Sequence, residues 1–179
     1  MNADAIIVAV GAEPVIPPIK GTDNKKVVGL DALKQKEPAV GQKVVILGAG
    51  HVGCEVGIYL DMLGKDVTIV EMRSDWAPDA YFMHKNAMNM YIRDSRIRIE
   101  TDTTAKEITD AGLVCTRKDG SEVLFEADTV LLAAGLRAKR DVADSFYNCA
   151  PKVFQTGDAI KAARVVDATG VGHWTALEI

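Results

Sequence analysis

Apolar positions follow two rhythms along this chain. Short runs with few polar residues, at 5–10, 43–48, 66–71 and 128–134, predict buried β-strands. Between two of them, Val52, Val56, Leu60 and Leu63 recur near the helical period, and Gly64 is placed to end that helix. Asp79 is positioned to cap a second helix with Met83, Ala87, Met90 and Tyr91 on one face, and residues 96–100 alternate like a strand. Earlier in the chain, Pro14, Pro17 and Pro18 impose an extended linker. A short strand at 27–30 follows, and then a short helix that Asp31 would cap and that runs through Lys36. From residue 104 the rhythm shortens. Segments 104–109, 113–117 and 122–125 predict strands, separated by Asp110-Ala111-Gly112 and by the hairpin pair Asp119-Gly120. Residues 136–150 read as a polar loop, 152–155 as a strand, and the last ten residues as part of a helix. Buried parallel strands need helical crossovers. The expected fold is therefore α/β: a parallel sheet with helices on one side and a three-stranded antiparallel β-meander crossing over it.

Composition narrows the functional classes. The chain has 179 residues, one domain or slightly more, of which 48% are apolar and 26% charged. Its net charge of −4, from 21 basic and 25 acidic residues, argues against a nucleic-acid partner or an anionic membrane surface. The longest apolar runs are strand-sized, far short of the roughly 20 residues that cross a bilayer. Cys54, Cys115 and Cys149 fit neither a disulfide framework nor a metal knuckle, so the expected compartment is reducing, that is, cytoplasmic. The chain opens directly on an apolar strand, without the basic stretch of a signal peptide, and stops within a helical pattern. Both features lead us to expect a segment of a longer polypeptide.

The sharpest motif is Gly48-Ala49-Gly50-His51-Val52-Gly53, between a strand and a helix. Gly48 permits the tight turn, Gly50 lets the backbone approach a pyrophosphate, and Gly53 lets the helix pack close to the strand. The pyrophosphate would rest on amides at the positive end of the helix dipole. The next strand ends in Glu71, 71 − 48 = 23 residues beyond the first glycine, where a carboxylate accepts hydrogen bonds from the adenosine ribose. Together these make the fold Rossmann-like. An acid there repels a ribose 2′-phosphate and selects NAD(H). Arg73, two residues on beside Met72, is the residue type that pairs with that phosphate, and so keeps NADPH open. An S-adenosylmethionine methyltransferase also uses a glycine loop and a ribose-binding acid. The third glycine at the helix start and the strands ending in Val10-Gly11 and Ala134-Gly135 count against it.

These residues resemble the NADH-binding domain of two-dinucleotide flavoprotein reductases, the pyridine nucleotide-disulfide oxidoreductase superfamily, with its FAD/NAD(P)-binding domain fold. Four segments carry the likeness: Asp4 to Pro18, Gly48 to Glu55, Ala127 to Leu136, and Val153 to Asp158. The resemblance implies that residues 1–18 are the end of an FAD domain with its crossover linker, 19–150 the NAD(H)-binding domain, and 151–179 a return segment of the FAD domain. It implies that Gly11, Gly157 and Asp158 face FAD, the aspartate at the ribityl chain or pyrophosphate, and that Ala134 and Gly135 leave space beside the nicotinamide. Within the superfamily, residues 43–55 and 65–72 are most similar to 2-enoate reductases and related NADH:flavin oxidoreductases, including bile-acid and dienoyl-CoA reductases. There an old-yellow-enzyme-like barrel with FMN and an iron–sulfur cluster precedes the FAD and NAD domains. What the resemblance implies is hydride delivery from NADH to FAD, for reduction of an activated alkene by the parent enzyme. The partners implied are the dinucleotide and the FAD and barrel domains of the same polypeptide; a homo-oligomer stays open. A fragment of this kind should bind nucleotide without turning over alone, and its FAD-domain remnants should pack only partly. The second reading, from another class, is a non-enzymatic NAD(H)-sensing module using the same loop and Glu71.

The remaining candidates have simpler readings. Glu55 on the first helical turn complements the helix dipole or contacts the nicotinamide ribose. His51 offers its amide to the pyrophosphate, and His84 reads as a solvated helix residue. No histidine pair has metal-ligand spacing in sequence, so no metal is expected. Cys54 reads as a packing residue and Met83, Met88 and Met90 as core. Arg137, Lys139 and Arg140 form a solvated loop or steer the anionic dinucleotide.

Overall fold

The computed structural model describes residues 3–34 and 39–179. The first strands are β1 (Ala5–Val8), β2 (Ala12–Pro14) and β3 (Val27–Val28). A 3₁₀ turn at Leu30–Leu33 precedes β4 (Lys43–Leu47), α1 (His51–Met62), β5 (Asp66–Val70), α2 (Phe82–Asp94) and β6 (Arg98–Glu100). Next come β7 (Thr103–Thr109), β8 (Gly112–Arg117), β9 (Glu122–Glu126) and β10 (Thr129–Leu132). The chain closes with β11 (Leu136–Ala138), α3 (Arg140–Asp144), β12 (Lys152–Gln155), a 3₁₀ turn at Gly157–Ala159, and α4 (Val165–Leu177). Two compact units result: residues 16–135, and the two chain ends up to Val15 and from Leu136.

In the first unit a five-stranded parallel sheet has the order β3-β10-β4-β5-β6. Its central strands are covered on both faces, and their alternating residues feed two cores. Val44, Ile46, Val67, Ile69 and Leu131 pack with Cys54 and Leu60 of α1 and Met88 of α2. Val45, Val70, Val130 and Leu132 pack instead with Ile108, Leu113 and Cys115 of the antiparallel meander β7-β8-β9. This is why the strand sequences are apolar throughout and not alternating.

The inward faces of the helices differ from the expected ones. On α1 the buried residues are Gly53, Cys54, Gly57 and Leu60, while Val52 and Leu63 are exposed. Small residues choose this face because they let the helix sit close to the sheet: a Cβ on Gly57 would lie 2.7 Å from Ile69 Cδ1. Gly64 follows the helix with φ +78°, its N–H donating to Asp61 and that of Lys65 to Leu60, which satisfies the last carbonyls. Asp79 does not cap α2, whose N-cap is Tyr81. Met83, Met90 and Tyr91 are exposed, and Met88 is the buried residue of that helix. The expected helix after Asp31 is the 3₁₀ turn, with Asp31 inside it and paired to Lys34 at 2.5 Å; its expected end at Lys36 lies outside the described residues.

The chain-end unit contains the parallel pair β1-β12 and the antiparallel pair β2-β11. Of residues 136–150, expected as loop, 136–138 form β11, for which β2 supplies the partner strand, 140–144 form α3, and 145–150 are turns; all belong here. Val8, Ala143 and Ala159 form its core, with Ile6, Val10, Phe146 and Val153 around them. The expected buried strand is half-open: Ile7 is 48% exposed, since among the described residues β1 has one neighbouring strand and one covered face. Thr175 is the buried residue of α4.

Candidate functional site

In the 16–135 unit the parallel strands end on one sheet edge, where ligands of open α/β sheets bind. The glycine loop leaves β4 there. Gly48 adopts φ +110°, donates to the Val70 carbonyl at 2.9 Å, and would place a Cβ 2.5 Å from the Ala133 carbonyl oxygen. A Cβ on Gly53 would lie 2.0 Å from the Gly48 carbonyl oxygen, so helix and loop touch backbone to backbone. Gly50 is different. It is the N-cap of α1 with an ordinary φ of −67°, and nothing lies within 4 Å of the Cβ position. No backbone demand requires glycine at 50, so the loop is tight at its first and third glycines and open at the second. Among the described residues no side chain caps α1, whose first-turn amides, at His51, Val52 and Gly53, have no intrahelical acceptor.

Glu71 follows β5 and is 5% exposed. Its Oε2 accepts the Ala49 N–H at 2.9 Å, which ties the acid to the glycine loop. Its Oε1 accepts the Arg73 backbone N–H and Nε, both at 3.0 Å, and Nη2 of the same guanidinium lies 3.4 Å from Oε2. Burial alone would raise the Glu71 pKa, but the Arg73 side chain and the two amides hold the carboxyl below its ordinary value. The sequence suggested Glu71 and Arg73 as competing determinants for the ribose. Folding pairs them with each other.

Met72 is exposed beside Glu71, and Ala134 and Gly135 are exposed just beyond β10, the neighbour of β4 in the sheet. Gly11, Gly157 and Asp158 belong to the chain-end unit, Gly11 just after β1 and the other two just after its parallel partner β12. Gly11 and Gly157 have φ of +75° and +62°, Asp158 accepts the Ala163 N–H at 3.3 Å, and the adjacent Thr156 hydroxyl is buried without a partner among the described residues. In the same unit Arg137 is paired with Glu13 at 2.6 Å, and Arg140 donates to the Ile160 carbonyl.

Three side chains take places that sequence reasoning did not foresee. Glu55 lies in the second turn of α1, not the first, and its Oε1 is 3.4 Å from His51 Nε2 and 3.2 Å from His84 Nε2. No sequence spacing pairs these histidines; the packing of α1 on α2 does. Cys54 is fully buried, and burial, with the Glu71 charge adding to it, pushes its thiol up to about 12. It is therefore a packing residue and not a thiolate. None of the described helices is long and apolar enough to cross a membrane.

Residues 1–152 match the family model described as pyridine nucleotide-disulphide oxidoreductase. The chain is 30% identical over 182 residues to the cinnamate reductase of Clostridium sporogenes, covering 99% of this chain and 26% of that protein. It is 30% identical over 184 residues to an NADH oxidase of Thermoanaerobacter brockii, covering 100% of this chain and 28% of that protein. Among solved structures, a 2-naphthoyl-CoA reductase in complex with 2-naphthoyl-CoA matches with a TM-score of 0.91 and 28% identity, covering 98% of this chain and 27% of the other. The chain spans about a quarter of the length of these relatives. The Gly48–Gly53 turn at the sheet edge and the family match over residues 1–152 lead to one assignment: this chain belongs to the pyridine nucleotide-disulphide oxidoreductase family, oxidoreductases that bind NAD(P)H and FAD.

Proposed function

We propose that the chain binds NADH through the Gly48–Gly53 loop and Glu71 and presents it to FAD within an NADH:flavin oxidoreductase that reduces an activated alkene. The observation that carries this reading is the Glu71–Ala49 hydrogen bond, which places a buried anionic carboxylate against the open, uncapped start of α1. The residues fit the nucleotide. Space at Gly50 and free amides at His51, Val52 and Gly53 suit a pyrophosphate. Glu71 suits ribose hydroxyls, with the half-exposed Arg73 guanidinium giving way to them. A 2′-phosphate would meet the Glu71 charge, and any pairing of it with Arg73 would compete with the Glu71–Arg73 ion pair.

In the chain-end unit, Gly11, Gly157 and Asp158 would face the flavin, and the partnerless Thr156 hydroxyl fits a polar ligand there. Bound nicotinamide and flavin supply the hydride chemistry; these residues bind, orient and exclude water. Exposed Ala134 and Gly135 present little side chain and leave room for a nicotinamide ring. FMN and an iron–sulfur cluster would be held by residues outside these 179. The alkene as substrate draws its support from the reductases that the chain resembles, a cinnamate reductase and a 2-naphthoyl-CoA reductase.

The test is titration of the chain with NADH and with NADPH by nucleotide fluorescence, beside Glu71→Ala. NADH is expected to bind more tightly in the parent, and the variant is expected to lose that preference as Arg73 is freed. Equal binding of both by the parent, or an unchanged preference in the variant, would overturn the role of Glu71.

A further inference from the structure

We propose that His51, Glu55 and His84 form a site for a divalent transition-metal ion, with Zn²⁺ the natural occupant by ligand type. His51 and Glu55 lie one turn apart on α1, on the same face of the helix, and α2 brings His84 to them. The three potential ligand atoms lie within 4.8 Å of one another. A tetrahedral centre with bonds of about 2.0–2.1 Å has ligand–ligand edges of about 3.3–3.4 Å. The Glu55 Oε1 contacts, 3.4 Å to His51 Nε2 and 3.2 Å to His84 Nε2, are close to that length.

A second observation is independent of the spacing. The Nε2 atoms of both histidines are buried, and neither has a hydrogen-bond partner among the described residues. Although Glu55 is near, neither ring directs Nε2 at it with hydrogen-bond geometry. Groups that face a common centre, and not each other, have this arrangement. The two rings meet edge to face with centroids 4.4 Å apart.

Two imidazoles and one carboxylate are borderline donors that favour zinc and its neighbours over the all-oxygen ions Mg²⁺ and Ca²⁺. Three protein ligands leave a fourth position, and the half-exposed side chains of the triad give solvent or an anionic ligand access to it. The ion would join the glycine-loop helix to α2 and add positive charge beside the anion-binding turn. Nothing in this site depends on the nucleotide reading.

The test is isothermal titration of the full chain with Zn²⁺ in a Cys149→Ser background, which removes the exposed thiol. One ion per chain is expected, unaffected by millimolar Mg²⁺. The affinity should fall at least about tenfold in His84→Ala and in Glu55→Gln, since even outer-shell partners of metal ligands count on that scale. His173→Ala, on α4, should bind like the parent. Co²⁺ should give the intense visible bands of a four-coordinate site in the parent and lose them in the variants. Circular dichroism checks that each variant folds, and the near-isosteric Glu55→Gln carries the test if His84→Ala does not. Absence of a saturable site, or parent-like affinity in the folded variants, would overturn the proposal.

Discussion

The unit at 16–135 and the unit of the chain ends are built from similar apolar strands, yet they bury them very differently. β4 and β10 each have a strand on both sides, a helical layer on one face and a meander on the other, so Val44, Val45, Ile46, Val130 and Leu131 are all inaccessible. β1 has nearly the same composition but one neighbouring strand and a core of three small or medium residues. An apolar run therefore specifies a strand, while its burial is a property of the layers that meet it.

Core truncation should expose this contrast most strongly. Ile46→Ala leaves a cavity between sheet and helices and is expected to destabilise the chain by about 2–5 kcal/mol in denaturant unfolding. Val8→Ala in the chain-end unit is expected to cost about 1–2 kcal/mol. Equal losses would mean that the two units bury their strands alike. Next in size is Gly53→Ala. Its Cβ would collide with the Gly48 carbonyl, so a loss of about 1–3 kcal/mol is expected together with weaker NADH binding, read by melting and by titration.

Acid sharpens the picture further. The pKa of Glu71 is lowered in the folded chain, so its stabilising contribution is complete above the ordinary glutamate range and is lost as pH falls through the folded value. On lowering the pH through this window, the parent should lose stability more steeply than Glu71→Gln in denaturant melts at fixed pH values. The mildest probe is thiol labelling. Cys54 and Cys115, both pushed up to about 12 chiefly by burial in the 16–135 unit, should react only on unfolding. Exposed Cys149 should react in the native chain. Rapid modification of two or three thiols in the folded protein would contradict the double-faced core.

Much of the architecture was legible because it is local. The apolar runs, the Asp119-Gly120 hairpin, the Gly64 stop and the glycine triplet ahead of a helix each act within a few residues, and each element appears where the pattern puts it. Helix faces were less legible. Val52 and Leu63 look like core by hydrophobicity, but Gly53 and Gly57 win because close approach to the Gly48 carbonyl and to Ile69 needs small side chains. Asp79 has cap chemistry, yet α2 starts after Tyr81. Residues 136–150 carry too little apolar periodicity to reveal β11 and α3, and β11 depends on a partner strand more than 120 residues earlier, as the Arg137–Glu13 separation of 124 shows.

The α/β class, the order of the main elements from β4 to β10, the glycine turn and the acid at the end of the next strand are all legible in the sequence. Short-range periodicity, turn chemistry and spacing encode all of these. That Glu71 is buried and bonded to Ala49 and Arg73, and that His84 meets His51 and Glu55 across two helices, emerges only in the fold, while the packing role read for Cys54 is borne out by its burial. Those outcomes depend on which surfaces the parallel sheet brings together. A side chain's charge, partners and reactivity follow from its neighbours in space, which residue type and local spacing do not specify.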